Sequence, residues 1–425
     1  MSQPKTLREA SCADDYDPDS MPVDTARTLI RTFLTPVTAT ERVHIRQALS
    51  RVLAAPVISP LAVPGHDNSA MDGYAVRFAD LAAEGETTLA RVGDSFAGKP
   101  PTARVGPGQC VRIFTGGVMP EGADSVVMQE RTREDARGVH IAAGAIGKAG
   151  QNRRFAGEDL KAGAVVFEAG QLVRPAELGM MASLGIGEVT VYRRLRVAFF
   201  STGDELKSIG TPLGSGDVYD SNRYTIYGML TRLNCDVIDM GVVPDIPEAL
   251  EQALATAAAA ADVVITSGGV SVGEADFVKQ LMDKLGEVLF WKIAMKPGRP
   301  LAYGRIANAH FFGLPGNPVS VMVTFYQFVR DALMILQGQR NVAPLPTFKV
   351  PLAAAIRKAP GRTEFQRAIL YADGTGGWTV RTTGDQGSGI LSSMSRANCF
   401  VVLAPDVASC AVGDLVDVQL LEGLI

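Results

Sequence analysis

The sequence predicts a multidomain α/β protein: a central parallel α/β sheet domain flanked by β-rich domains. Three observations carry the prediction. Between residues 195 and 336, compact apolar runs alternate with helical stretches, as in a parallel sheet covered by helices on both faces. Between 56 and 148, short β-like runs are separated by Gly and Pro turns. After a turn-like segment at 341–346, a second β-rich region runs to the end.

The elements follow in order. The first 20 residues are polar, with acids at Asp14, Asp15, Asp17 and Asp19, and read as a disordered arm; they lack the apolar segment of a signal peptide. Asp24 or Thr25 is placed to cap a first helix with Ala26, Leu29, Ile30 and Phe33 on one face, and a second helix is expected over 41–52. Strands are expected at 73–76, 110–114 and 125–128, and a short helix at 175–184. In the α/β region, strands are expected at 196–200, 236–240, 262–265 and 310–314. Helices are expected at 222–233, 247–260, 275–285 and 318–336, with Pro247 suited to a first turn that needs no N–H. The tail offers strands at 399–403 and 415–421.

With 425 residues, 47% hydrophobic, the chain has ample material for several buried cores. A net charge of −4 gives no broad attraction to nucleic acid or acidic membranes. The five cysteines are scattered without a C-x-x-C pair, and the four histidines are dispersed, which argues against a disulfide framework and a zinc site. The longest apolar stretch, 253–265, is interrupted by Asp262 and too short to span a bilayer. The chain reads as cytoplasmic.

Ligands of a doubly wound sheet bind beyond the carboxyl ends of its strands. Four such ends carry chemistry: STGDEL at 201–206, VPD at 243–245, TSGGVSVGEAD at 266–276 and GLPGNPVS at 313–320. If the strands are parallel, all four lie on one edge. Glycines there let the backbone approach a ligand and aim amides at an oxyanion, and a helix N-terminus adds partial positive charge. The carboxylates of Asp204, Glu205, Asp245, Glu274 and Asp276 would repel a phosphate unless a cation intervened, and hard oxygen ligands around phosphate describe a Mg²⁺ site. Lys292, Lys296 and Arg299 add cations for an anionic substrate. Each loop alone has a plainer explanation, as a tight turn or a helix cap. Four together on one edge favour a site.

No G-x-x-x-x-G-K-[ST], no strand-borne G-x-G-x-x-G and no G-x-S-x-G occurs, which argues against a Walker NTPase, a nicotinamide enzyme and a serine hydrolase. The segment PGHDNSAMDGYA at 64–75 concentrates Asp67, Asn68, Ser69 and Asp72, either as metal or pocket ligands or as an Asx-type turn with Gly73 at positive φ. GRTEFQR at 361–367 and TGDQGS at 383–388 combine guanidinium groups with glycine amides, the chemistry of an anion site, and hairpin turns explain them equally well.

The motifs at 64–75, 201–206, 267–276, 296–300 and 313–320 resemble, in order, those of the bacterial molybdopterin molybdenumtransferase family. The likeness covers all but the N-terminal arm. It implies an elongated homodimer with its active site at the subunit boundary, which inserts molybdate into adenylylated molybdopterin with release of AMP and requires Mg²⁺. The resemblance divides the chain into the arm (1–20), a linking helical/β domain (21–57 and 155–190), a β-rich domain (58–154), an α/β pterin-binding domain (191–339) and a C-terminal β domain (340–425).

Carried over by motif, Glu205, Asp245 and Asp276 are the implied essential acids and metal ligands, and Asp72, Thr115 and Asp159 match functional positions in and beside the first β-rich domain. Lys292 and Lys296 match a basic catalytic pair. Ser267, Gly268, Gly269, Ser271 and Gly273 match the phosphate loop, while Pro315, Pro318 and Ser320 shape the last loop. Arg367 and Ser388 match C-terminal positions that face the pocket, where with Lys296 they would hold molybdate. His66 and Asp385 stand where related chains carry an aromatic residue and a histidine; an acid at 385 facing the site would weaken anion binding. The expected partners are the pterin nucleotide, molybdate, a second copy and other molybdenum cofactor biosynthesis proteins. The rival readings are an enzyme that stops at adenylylation and a non-enzymatic scaffold of the same architecture.

Overall fold

A computed structural model describes residues 20–269, 281 and 284–421. The described residues fall into two compact units, a larger one within Met1–Ala54, Gly170–Arg174 and Thr190–Ile425 and a smaller one of Ala55–Ala169 and Pro175–Val189.

The larger unit is organised on a six-stranded sheet of β1 (Arg196–Thr202), β2 (Asp236–Val243), β3 (Val263–Ser267), β4 (Gly286–Lys292), β5 (Pro300–Ile306) and β6 (Ala309–Leu314), in the spatial order β2-β1-β3-β6-β5-β4. The first four are mutually parallel, and β5 and β4 continue the sheet antiparallel. β1 shows why its sequence suits a central position. Val197, Ala198, Phe199 and Phe200 are all fully buried, as a strand covered on both faces requires. Side chains alternate across the pleat. Val197 and Phe199 enter a core with Ile226, Met229 and Leu230 of helix α1 (Ser221–Arg232), whereas Ala198 and Phe200 pack with Leu250, Leu254 and Ala257 of helix α2 (Pro247–Ala260).

α2 starts at Pro247 as expected, and its buried Leu250, Ala253, Leu254, Ala257 and Ala258 form one helical stripe. Helix α3 (Pro318–Leu336) passes through a π-helical turn, Phe325–Val329. Among the described residues it is the one helix long and apolar enough to cross a membrane, and most of it is buried as a core helix.

The same unit holds a second sheet, in which Thr363–Ala372, Cys399–Leu403, Leu415–Leu420 and Thr347–Pro351 lie side by side. A two-residue strand, Met295–Lys296, extends this sheet by parallel pairing with Thr363 and Glu364. The smaller unit is built on a six-stranded sheet, with Gly73–Val76 between Ser125–Met128 and Gln109–Ile113. Gly73 is needed there for close approach: a Cβ would lie 2.0 Å from the Val127 carbonyl oxygen.

Several expectations are corrected. Gly73 is not at positive φ. The helix expected over 41–52 is a strand, Thr40–His44, followed by a 3₁₀ turn, Ile45–Ala48. Beyond it, the Ser50 and Leu53 amides donate to the Val173 and Gln171 carbonyls at 2.8 and 2.9 Å, so long-range pairing overrides local helical periodicity. The first helix, Val23–Thr32, begins behind Pro22 rather than with a side-chain cap from Asp24 or Thr25. β4 and β5 were not anticipated, and they make the sheet mixed rather than wholly parallel. The helix expected at 275–285 falls largely outside the described residues.

His310 on β6 is 3% exposed, with Nδ1 3.4 Å from the Tyr303 hydroxyl. Burial, helped by the Arg305 charge, pulls its pKa down to about 4. The folded state therefore holds a neutral imidazole, while the unfolded chain takes up a proton below about pH 6.5. This contribution to stability is present above pH 6.5 and lost as pH falls toward 4, amounting to about 3 kcal/mol. Replacing His310→Phe should reduce the acid-induced loss of unfolding free energy by about that amount, measured by denaturant titration at pH 7 and pH 4. An unchanged pH dependence would contradict the assignment.

Candidate active site

β1, β2, β3 and β6 are parallel, so their carboxyl ends and following loops share one edge of the sheet. A cavity of about 640 Å³ opens there, lined by residues of all four loops and by the segments 295–300, 362 and 386–388.

Asp204, Glu205 and Asp245 line this cavity. The Thr202 hydroxyl donates to Asp245 Oδ1 at 3.3 Å. Glu205 turns its carboxylate back over Gly203, where a Cβ would lie 2.7 Å from Oε2. Ser267, Gly268 and Gly269 line it as well. Gly268 has φ +94° and leaves no room for a side chain, since a Cβ would lie 2.4 Å from the Thr202 carbonyl oxygen. Its amide, however, donates to Leu314 at 3.1 Å, which removes it from the amides expected to face a phosphate.

From β6 and α3 come Pro315 and Ser320. Pro318 does not line the cavity; it occupies the first turn of α3, behind the N-cap Asn317. The Val319 amide donates to the Ser388 carbonyl at 3.1 Å, and this bond fastens the 386–388 loop, with Ser388 in the lining, to the start of α3.

The cavity's cations are Lys296, Arg299 and Arg362. Lys296 lies 3.6 Å from Glu364. Lys292 is not in the lining; it ends β4, and its carbonyl accepts from the Met21 amide at 3.1 Å. Arg367 is a further correction. It is fully buried, and its guanidinium donates to the carbonyls of Gln386 at 3.1 Å and Gly387 at 2.8 Å, with Nε on Ser393 Oγ at 2.9 Å. Burial pulls its pKa down to about 10. It sits behind the loop rather than in the cavity. Asp385 is exposed and absent from the lining.

Asp72, Thr115 and Asp159 belong to the smaller unit. Asp72 and Thr115 are in direct contact: Asp72 Oδ1 accepts from the Thr115 amide at 2.7 Å and from its hydroxyl at 2.8 Å, and these bonds hold the carboxyl below the usual carboxylate range. Asp159 is exposed. In the neighbouring motif, Asp67 is taken up by Arg153 and the Ala156 amide. Ser271, Gly273 and Asp276 lie outside the described residues.

Among the described residues no three His, Cys, Asp or Glu side chains converge into a metal cage. Two carboxylates that line the cavity, Glu205 and Asp245, the latter bonded by the Thr202 hydroxyl, nevertheless fit Mg²⁺ chemically, because that ion keeps several waters and shares substrate phosphates instead of filling a protein cage.

Sequence reasoning passed over Asn222. It is 6% exposed and lines the cavity, and its Nδ2 donates to Ser267 Oγ at 2.8 Å and to the Gly316 carbonyl at 2.6 Å, joining two ligand loops. The local signal was the string Asp220-Ser221-Asn222 at a helix start, of which capping absorbs only Asp220, whose Oδ1 accepts from the Arg223 amide. Asn222→Ala should cost about 1–3 kcal/mol, since it takes the donor from the buried Ser267 hydroxyl and from the Gly316 carbonyl. Asn222→Asp should cost more, because it replaces the donor with a buried charge facing a carbonyl oxygen. Denaturant unfolding checks both, and wild-type stability in the two variants would refute the clamp.

Three family models match the chain in order: the MoeA N-terminal region (domain I and II) over residues 21–185, the probable molybdopterin binding domain over 198–334 and the MoeA C-terminal region (domain IV) over 349–421. The chain is 46% identical over 397 residues to the molybdopterin molybdenumtransferase of Haemophilus influenzae, covering 93% of this chain and 98% of that protein. It is 42% identical over 306 residues to the molybdopterin molybdenumtransferase of a Nostoc species, covering 70% of each. A crystal structure of a molybdopterin biosynthesis moeA protein from Pyrococcus horikoshii matches it with a TM-score of 0.80 at 30% identity, over 95% of this chain and all of that one. An α/β sheet edge with this cavity, near full-length identity to named transferases and the likeness of fold converge on one conclusion: the chain belongs to the molybdopterin molybdenumtransferase family.

Proposed function

We propose that this chain takes adenylylated molybdopterin and molybdate, inserts the molybdenum at the dithiolene sulfurs and releases AMP. The supporting observation is one cavity lined both by Glu205 and Asp245 at the ends of β1 and β2 and by Lys296, Arg299 and Arg362. A substrate with a phosphoanhydride needs its negative charge neutralised where the bond breaks, and an oxyanion co-substrate needs fixed cations. Both requirements are met within about 640 Å³, a volume suited to a pterin nucleotide.

Gly268 and Gly269 carry no side chain that would hold a phosphate away from the backbone, and the Ser267 hydroxyl is oriented by Asn222. Glu205 and Asp245, together with Asp276, would hold Mg²⁺. When bound, the ion supplies Lewis acidity toward phosphate oxygens. Lys296 and Ser388 bind and orient molybdate, and the sulfur–metal exchange is the ligand's own chemistry. Asp72, Thr115 and Asp159 are assigned to the same reaction, which two copies of the chain carry out as a homodimer with the active site at the subunit boundary. Delivery of the pterin by other proteins of molybdenum cofactor biosynthesis fits this reading. So does a cytoplasmic setting, where the buried, unpaired Cys110, Cys235, Cys399 and Cys410 stay reduced.

Incubation with adenylylated molybdopterin, Mg²⁺ and molybdate should release AMP in proportion to metal bound to the pterin. Glu205→Gln and Asp245→Asn should each lower that rate by roughly a hundredfold and raise the Mg²⁺ concentration needed for half-maximal rate, with folding retained. No molybdate-dependent AMP release by the wild-type chain would overturn the reading. Full activity of both variants at unchanged Mg²⁺ dependence would overturn the metal assignment.

A further inference from the structure

The cavity cations differ in what already holds them. Lys296 is engaged by Glu364, and Arg299 has a partner of its own. Arg362 is exposed and lines the cavity, yet no hydrogen bond or ion pair occupies its guanidinium among the described residues. Its position is fixed by the backbone. The pairing of Met295 with Thr363 and of Lys296 with Glu364, with the Thr363 amide donating to the Ala294 carbonyl at 2.9 Å, sets Arg362 just before the strand Thr363–Ala372, which lies beside the short strand that carries Lys296. On its other side, the Gly361 amide donates to the Pro405 carbonyl at 2.7 Å, which anchors the approach to Arg362. An arginine whose flanking main chain is anchored, and whose guanidinium donors are unused beside a cavity, can turn two parallel N–H groups on a tetrahedral oxyanion.

Arg367, inside the strand Thr363–Ala372 that Arg362 precedes, is spent differently. It binds the carbonyls of residues 385–387 and Ser393, and its own amide and carbonyl are bound by the Gln386 side chain at 2.8 and 3.2 Å. Gln386, Gly387 and Ser388 are in turn the part of that loop that lines the cavity.

We infer that Arg362 is the guanidinium that binds the incoming oxyanion and sets its affinity, and that Arg367 is a positioning residue that shapes the 385–388 loop around it. This rests on the proposed molybdate insertion. It assigns the molybdate contact to Arg362 rather than the pterin phosphate because the two residues that follow Arg362 pair with Met295 and Lys296 and not with the glycine loop after β3.

The experiment is steady-state AMP release with molybdate and adenylylated molybdopterin varied in turn. Arg362→Ala should raise the KM for molybdate about ten- to a hundredfold, the range of a lost charged hydrogen bond, with the KM for the pterin nucleotide within about twofold of wild type. Arg362→Lys should recover part of the loss, restoring charge without the fork. Arg367→Lys should instead lower the thermal midpoint and impair use of both substrates, as a disordered loop would. Arg362 is exposed and unbonded, so its variants should keep the wild-type midpoint, and that measurement accompanies the kinetics. An unchanged molybdate KM in Arg362→Ala, or an equal rise in both KM values, overturns the assignment. Absence of molybdate-dependent AMP release in the wild-type chain would instead overturn the proposed function, so the two failures are distinguishable.

Discussion

The site depends on the parallel register of four strands. Ser201 of β1 lies opposite Ser267 of β3, and Ser267 lies opposite Leu314 of β6, so three chain segments finish at the same level. β2 joins them through the pairing of Thr202 with Val243. Because the strands end together, their loops emerge together, and residues 110 positions apart in sequence come to border one cavity. The register is enforced by the apolar alternation on both faces of β1 and β3: slipping one strand by a residue would move each large side chain to the opposite helical layer.

Much of this was legible in the sequence because the relevant rules are local. Strands buried on both faces read as uninterrupted apolar runs, Pro247 marked a helix start, and glycine with acids after a strand marked ligand loops. What was missed depends on contacts between distant segments. The 41–52 segment has helical periodicity, but residues 173 and 171 supply partners for the amides of Ser50 and of Leu53 just beyond it. The main-chain bond between Gly268 and Leu314 turns an expected phosphate donor into part of the scaffold. Arg362 and Arg367 are the same residue type five positions apart, one just before a strand and one within it, and composition gave no means to tell a guanidinium that fills carbonyl valences inside a loop from one left open to a ligand.

Burial accounts for that difference. An arginine with no exposure must satisfy its donors internally, and Arg367 does so with carbonyls and a hydroxyl instead of a carboxylate. It therefore adds net positive charge behind the loop without presenting a hydrogen bond to the cavity. Asn222 follows the same logic in neutral form, using one amide group to hold two loops at a fixed separation.

The short strand Met295–Lys296 lies in sequence between β4 and β5 but is hydrogen-bonded into the second sheet. The polypeptide leaves one sheet, contributes a rung to another and returns. Lys296 is thus carried by the C-terminal framework, while Glu205 and Asp245 are carried by the α/β framework. The spacing between acid and base in the cavity is a property of how these two frameworks are stitched together, and a chain cut before residue 347 would keep its acidic loops while its lysine lost the rail on which it is mounted.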